Sequence, residues 1–379
     1  MNPKKKYQLF GKNKSFCVVP WTNFQIHTNG DVITCSVGKE KLGNINQTDI
    51  HEILKKSPIL KRIKKNMLNG IPDSNCVFCQ YRHIQENSFS YLKDHYNSKV
   101  IKEDIQYDDI ENFDLRFIDL HWSNICNLRC VMCRPEQSSL IAKDENITIT
   151  PVSKENINKI IDMVCQKQSS IREIYLSGGE PMYIPYNLEL LKSITNKNVP
   201  IRVNTNMQWN SNNKIFQELK KFKNVQLTMS VDALYEKFDY IRNGANWKTF
   251  SNNLDFIKKE CKFDIRINTI FSIINAIDLC SVITYFFFEK NIRDITINLC
   301  TRPKEIDARN YPKNKKDFIL QDINKLIEQI PQNHKNLISN LKNCVSHMQQ
   351  PNEHTYKKCL DYITRTHKQK WQLYFKDLI

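Results

Sequence analysis

Six short apolar runs punctuate the middle of the chain: FDLRFIDLHW (113–122), REIYLSG (172–178), PIRVNTN (200–206), VQLTMSVD (225–232), FDIRINTIFSI (263–273) and DITINLC (294–300). Each is rich in Ile, Val, Leu and aromatic residues, which predicts a strand. Between them KENINKIIDMVCQ (154–166) and NNKIFQELKKF (212–222) repeat apolar residues at helical spacing. Strands alternating with helices predict parallel βαβ units, in a partial barrel or an open doubly wound sheet. Both architectures place a ligand site at the C-terminal strand ends. There the unusual residues gather: three cysteines after the first run, SGGEP (177–181) after the second, NTN (204–206) after the third and SVD (230–232) after the fourth.

The first 90 residues are patterned differently. CVVPWTNFQIHTNGDVITC (17–35) alternates as a β-hairpin does, with Asn29-Gly30-Asp31 at the turn. IHEILKKSPILKRIKKNMLNG (50–70) predicts one helix ending near Gly70, just before CVFC (76–79). The pattern divides the chain into a cysteine-rich α+β domain (1–90), a polar helical connector (91–112), the βα region (113–305) and a tail (306–379) with two or three helical stretches.

Composition narrows the classes. No apolar run approaches the roughly 18 residues of a membrane span, and the amino-terminal MNPKKKYQLF lacks a secretory apolar core, which predicts a soluble cytoplasmic protein. The net charge of +16 favours an anionic substrate. Basic patches interleaved with aromatic residues are missing, so nucleic acid is not the expected partner. Thirteen cysteines without an export signal point to metal or catalysis rather than to a disulfide framework.

The cysteines sort by spacing. Cys126, Cys130 and Cys133, in NICNLRCVMC, form a Cys-x3-Cys-x2-Cys loop. It is compact enough to hold three corners of one [4Fe-4S] cube and leave the fourth iron open, whereas structural zinc needs a closed set of four. Cys17, Cys35, Cys76 and Cys79 are such a foursome, for an iron–sulfur cluster or, as a hairpin plus CxxC, for zinc.

CNLRCVMC, followed one βα unit later by SGGEP, resembles the radical S-adenosylmethionine (radical SAM) superfamily across residues 114–303. The resemblance implies a partial (β/α)6 TIM-like barrel. It also implies that Cys126, Cys130 and Cys133 hold a [4Fe-4S] cluster whose open iron binds SAM. Met132 stands where the family commonly has an aromatic residue. By the same likeness Gly178 and Gly179 admit the methionine moiety, and Glu180 accepts its ammonium. Asn204 and Asn206 face ribose or substrate, and Ser230, Asp232 and Arg242 contact SAM. The amino-terminal foursome, with LGNINQTDIHEILKKS (42–57), is similar to a SPASM or twitch domain and implies an auxiliary [4Fe-4S] cluster, with zinc as the alternative. Such domains usually follow the barrel; this one precedes it. A reducing partner such as a flavodoxin or ferredoxin is implied as well.

The expected substrate is anionic: a peptide, a sugar or a nucleotide-linked molecule. His121, Trp122, Asn268, Tyr183, Cys300 and Arg302 are candidates to face it, and Cys300 is the candidate catalytic thiol, able to quench or relay a radical. The rival reading is a non-enzymatic zinc or iron–sulfur protein whose basic surface binds nucleic acid. It accounts for the charge and CVFC, and leaves the open triplet beside SGGEP unexplained.

Overall fold

The computed structural model describes residues 6–80, 91–352 and 354–366. Among these residues nine strands are ordered β3-β2-β1-β4-β5-β6-β7-β8-β9. They are β1 (Asn23–Ile26), β2 (Asp31–Ile33), β3 (Gly43–Asn44), β4 (Phe117–Leu120), β5 (Glu173–Leu176), β6 (Ile201–Thr205), β7 (Val225–Ser230), β8 (Asp264–Phe271) and β9 (Ile295–Leu299). Every apolar run read from the sequence became a strand, and from β4 onward sheet order is chain order, as a partial TIM-like barrel requires. The described chain divides into two compact units: residues up to Asn124 with 148–202 and 221–224, and residues 125–147 with 203–220 and everything from Val225. Among the described residues no helix is long and apolar enough to cross a membrane.

In the first unit β1 and β2 make the expected hairpin, with Gln25 opposite Ile33 and Gly30 in the turn at φ +84°. Unforeseen is the other edge of β1, which pairs in parallel with β4, Asn23 opposite Phe117 through Ile26 opposite Leu120. β4 in turn pairs with β5, Phe117 opposite Glu173. Ile118, Leu120, Ile174 and Leu176 alternate with the more polar Asp119, Glu173 and Tyr175, so one strand face is apolar and the other carries charge. On that polar face Glu173 accepts from His95 and Lys99 at 3.1 and 2.5 Å, and Arg202 lies over the Tyr175 ring at 3.9 Å. Burial alone would raise the Glu173 carboxyl; Arg202, His95 and Lys99 together hold it below the usual range. Asp119, with less compensation, is pushed up by burial to about 7.

The helix expected over 50–70 is two: α1 (Ile50–Lys56) and α2 (Pro58–Leu68). Ser57 closes the first through its backbone N–H to Ile53 and opens the second, its Oγ accepting from Leu60. Pro58 forces the break, because its ring disfavours helical backbone at Ser57 and it brings no N–H of its own. α3 (Tyr91–Val100) follows, and its Tyr96 stacks edge-on against Phe117 in a core that also holds Phe16, Trp21 and Tyr107. Residues 81–90, the end of the expected cysteine-rich domain, lie outside the described residues. The Ile, Met and Val stripe of α4 (Lys154–Lys167) is buried, and Ser153 caps it by accepting from Asn156.

In the second unit β7, β8 and β9 pair in parallel, Ser230 opposite Asn268 and Phe271 opposite Leu299. α5 (Tyr235–Ile241) and α6 (Trp247–Glu260) connect β7 to β8. Among its described residues the tail forms three α-helices, α7 (Lys313–Gln329), α8 (Lys335–Gln349) and α9 (Tyr356–Thr366). One buried ion cluster ties α8 down: Asp307 accepts from His347 Nε2 at 2.8 Å and from Arg309 Nε and Nη2 at 3.0 and 2.8 Å. Burial would raise the Asp307 carboxyl, but these donors outweigh it and hold the group at about 2. Lys316, Cys300 and Cys359 also feel the Asp307 charge. A depressed carboxyl stabilises the fold above its unfolded value of about 3.9 and loses that contribution as pH falls toward its folded value. The stability advantage of the natural chain over Asp307→Asn, about 2 kcal/mol at pH 6, should therefore shrink from pH 5 toward pH 2, as read by urea unfolding.

Candidate cluster site and the companion cysteine set

The triplet lies in the loop after β4, with Cys130 buried and Cys126 and Cys133 half-buried. The loop is held from three directions within its own unit. The Arg129 and Val131 N–H groups donate to Asn243 and Ile241 carbonyls at 2.8 and 2.9 Å, stapling the loop to the end of α5. Asn127 Nδ2 donates to the Gln208 carbonyl at 3.1 Å, and its Oδ1 accepts from Asn206 at 2.8 Å. Ser138 Oγ donates to the Leu128 carbonyl at 2.7 Å, and Ser139 Oγ accepts from the Cys126 N–H at 3.2 Å. Asn127, Ser138, Ser139 and Gln208 were not singled out in the sequence; their polar character is ordinary, and only the fold shows their partners. A hydrogen bond from Cys133 lowers the Cys130 thiol, helped by the nearby Arg242 guanidinium, while the same bond and burial raise Cys133. Of that pair Cys130 is thus the one disposed to become a thiolate, the form that binds metal.

Arg242 caps α5 and is buried. Its Nη2 lies 2.7 Å from Asp232 Oδ2, and its Nη1 donates toward Cys130 Sγ at 3.9 Å. Asp232 Oδ1 accepts from the Ile270 N–H at 2.8 Å. Ser230 Oγ donates to Asn204 Oδ1 at 3.3 Å, joining two expected site residues on β7 and β6. Asn206 is committed to Asn127 and to the Gln208 N–H. Five expected site residues are therefore drawn around the triplet loop and the ends of its unit's strands.

SGGEP belongs to the other unit and follows the C-terminal end of β5. Gly178 has φ +106°, and a Cβ there would stand 2.6 Å from the Ser123 carbonyl oxygen. The same oxygen accepts from the Gly179 N–H at 3.0 Å. Glu180 is buried, and its Oε1 accepts from the Met182 N–H at 3.2 Å. His121 Nε2 and Ser177 Oγ share a hydrogen bond of 2.6 Å, and burial, His27 and Arg202 hold the imidazole down at about 3, so it stays neutral. Trp122 is structural: it is buried, and its Nε1 donates to Asn187 Oδ1 at 2.9 Å. Tyr183 is largely exposed.

Two of the amino-terminal cysteine segments, also in the first unit, are joined by Asn75. Its Oδ1 accepts from the Lys39 and Glu40 N–H groups, both at 2.8 Å, and its Nδ2 donates to Thr34 Oγ1 at 3.0 Å, so the residue before Cys76 is tied to both sides of the Cys35 loop. Arg62 grips Glu40 and Asp73 across the same junction. Cys17, Cys35 and Cys76 border the aromatic core. Burial raises all three thiols, Cys35 to about 11, and each feels the charge of other members of the set, Cys79 included. The four are neighbours at electrostatic range. Among the described residues no three His, Cys, Asp or Glu side chains close around a single metal ion.

Comparison with known families matches residues 120–295 to the radical SAM superfamily and residues 17–81 to SPASM, an iron-sulfur cluster-binding domain. The chain carries a radical SAM domain behind a SPASM domain. GTP 3',8-cyclases of Listeria welshimeri and Listeria monocytogenes serovar 1/2a are each 23% identical over 159 residues, 41% of this chain and 45% of theirs. The chain thus spans under half the length of the curated relatives it matches. Among solved structures, native anSMEcpe with bound AdoMet is 18% identical with a TM-score of 0.39, covering 55% of this chain and 57% of that one. Streptococcus suis SuiB bound to precursor peptide SuiA is 16% identical with a TM-score of 0.38, covering 81% and 67%.

The two domains imply a [4Fe-4S] cluster with SAM and an auxiliary iron–sulfur cluster, and the residues present fit both. The radical SAM domain offers three free thiols in one fixed loop with a buried cation on one of them. In the SGGEP turn the backbone at Gly178 approaches Ser123 so closely that only glycine fits, which fixes the course of the chain leading to Glu180. The SPASM domain offers four free thiols, with the Cys35 loop and the Cys76 segment tied together by Asn75. Of the other expected residues of the radical SAM domain, Cys300 is buried, raised by burial to about 12, and donates to the Arg302 carbonyl at 3.6 Å. Asn268 Oδ1 accepts from Asn298 at 2.5 Å, and Arg302 is exposed.

Proposed function

We propose that the chain is a radical SAM enzyme that abstracts hydrogen from an anionic substrate, a peptide or a sugar- or nucleotide-linked molecule. The observation that carries this reading is the triplet loop, a set of three thiols stapled on three sides with no fourth cysteine in its sequence neighbourhood. When bound, the [4Fe-4S] cluster with SAM supplies reductive cleavage to a 5′-deoxyadenosyl radical. Cys126, Cys130 and Cys133 hold the iron, and the staples through Arg129 and Val131 keep their spacing. Glu180 accepts the ammonium of SAM, with Gly178 and Gly179 presenting bare backbone to it. Asn204 and Ser230 orient hydroxyl groups of the ribose or substrate.

His121 is neutral and donates or accepts without repelling a cationic or anionic group. Cys300 is held as an uncharged thiol, the form with a hydrogen atom to give or exchange. Cys17, Cys35, Cys76 and Cys79 hold the auxiliary cluster. The charge of +16 supports an anionic substrate and an acidic reducing partner of the flavodoxin or ferredoxin class. GTP, the substrate in the name of the Listeria relatives, belongs to that anionic class. Anaerobic reconstitution with iron and sulfide, then dithionite and SAM, should yield 5′-deoxyadenosine and methionine only when reductant is present. A fully loaded chain that leaves SAM intact would overturn the reading.

A further inference from the structure

Resting on that reading, we propose that Arg242, held by Asp232, acts on the Cys130 sulfur and sets the reduction potential of the cluster that the triplet holds. The resemblance assigns Arg242 to the carboxylate or ribose of SAM. Its geometry says otherwise for two of its three nitrogens: Nη2 is on Asp232 and Nη1 is on Cys130, while Nε is buried without a hydrogen-bond partner. The arrangement is built rather than incidental. The Ile241 and Asn243 carbonyls that flank Arg242 accept from Val131 and Arg129, the residues that flank Cys130. Residue 242 and residue 130 therefore face each other across a two-bond bridge. Gly244, at φ +95°, turns the chain immediately after it, and the Ala245 N–H closes that turn on the Arg242 carbonyl at 2.7 Å.

The consequence is electrostatic. An iron–sulfur cluster becomes one charge more negative when it takes an electron, so a fixed N–H donor bearing positive charge at a ligand sulfur stabilises the reduced form and raises the potential. Burial keeps water from screening the effect. Asp232 holds the guanidinium in place and opposes it, since its negative charge disfavours charge on Cys130. The pair is oriented with its cationic end on the sulfur, which makes its two members act in opposite directions on the same quantity.

That opposition is the test. The full chain, reconstituted anaerobically, is titrated with dithionite at poised potentials, following the EPR signal that changes on adding SAM, for the natural protein, Arg242→Gln and Asp232→Asn. Arg242→Gln should lower the reduced-to-oxidised ratio at fixed potential about tenfold, equivalent to about 59 mV for one electron. Asp232→Asn keeps the acceptor for the Ile270 N–H and should shift the ratio the other way. Unchanged potentials, or shifts of the same sign in both variants, would overturn the assignment, as would a loss of SAM affinity in Arg242→Gln at unaltered potential. A natural protein with iron in place and no SAM-responsive signal would instead overturn the underlying reading.

Discussion

Cys130→Ala is expected to reduce reductant-dependent 5′-deoxyadenosine formation to background and to cut the iron of the reconstituted chain from about eight atoms to about four. Of the three triplet cysteines Cys130 is the most buried and the one facing Arg242, so its loss removes a ligand and leaves a guanidinium beside an apolar methyl group. Water cannot readily fill that place as a substitute ligand. The amino-terminal foursome has its own scaffold in Asn75 and Arg62 and should keep its iron. Iron counting separates the two sets without reference to turnover. Undiminished iron in Cys130→Ala would show that the triplet holds none; loss of all of it would show that the two sets do not fold independently.

Gly178→Ala should be the most damaging single methyl addition in the βα region. Two costs add. An alanine at φ +106° is strained by about 1–3 kcal/mol. Its Cβ would also meet the Ser123 carbonyl at 2.6 Å, and that oxygen cannot retreat without loosening its bond from the Gly179 N–H. Overpacking of this kind costs about 1–3 kcal/mol more. Chemical unfolding should register roughly 2–6 kcal/mol, and equilibrium dialysis should show SAM retention falling. Gly244→Ala is the internal control: its φ of +95° carries the strain, but its nearest contacts are at an ordinary 3.4 Å, so it should cost only the first component. Equal effects in the two variants would refute the clash with Ser123.

The strands were readable because each carries its own signal. Ile, Val and aromatic residues bounded by polar ends define Val225–Ser230 or Ile295–Leu299 without knowledge of a neighbour. The helix over 50–70 was misread as continuous although Ser57-Pro58 spelled out the break, because amphipathic spacing runs through it on both sides. The grouping of Cys126, Cys130 and Cys133 in one loop was legible in their spacing. What surrounds them was not: Asn127, Ser139 and Arg242 reach the loop through contacts spanning up to 112 positions, and no local pattern encodes such distances. The same holds for β1 beside β4, since parallel pairing across some ninety residues leaves no turn residue to mark it.

That pairing bears on how the protein could be dissected or shortened. β4 is hydrogen-bonded on one side to β5 and on the other to β1. Cutting the chain before Phe113 to obtain a minimal catalytic core would strip β4 of its partner and leave a row of bare amide and carbonyl groups on an apolar strand, the geometry that recruits foreign strands into aggregates. The cysteine-rich segment thus serves as a selvedge for the sheet, finishing an edge that would otherwise unravel.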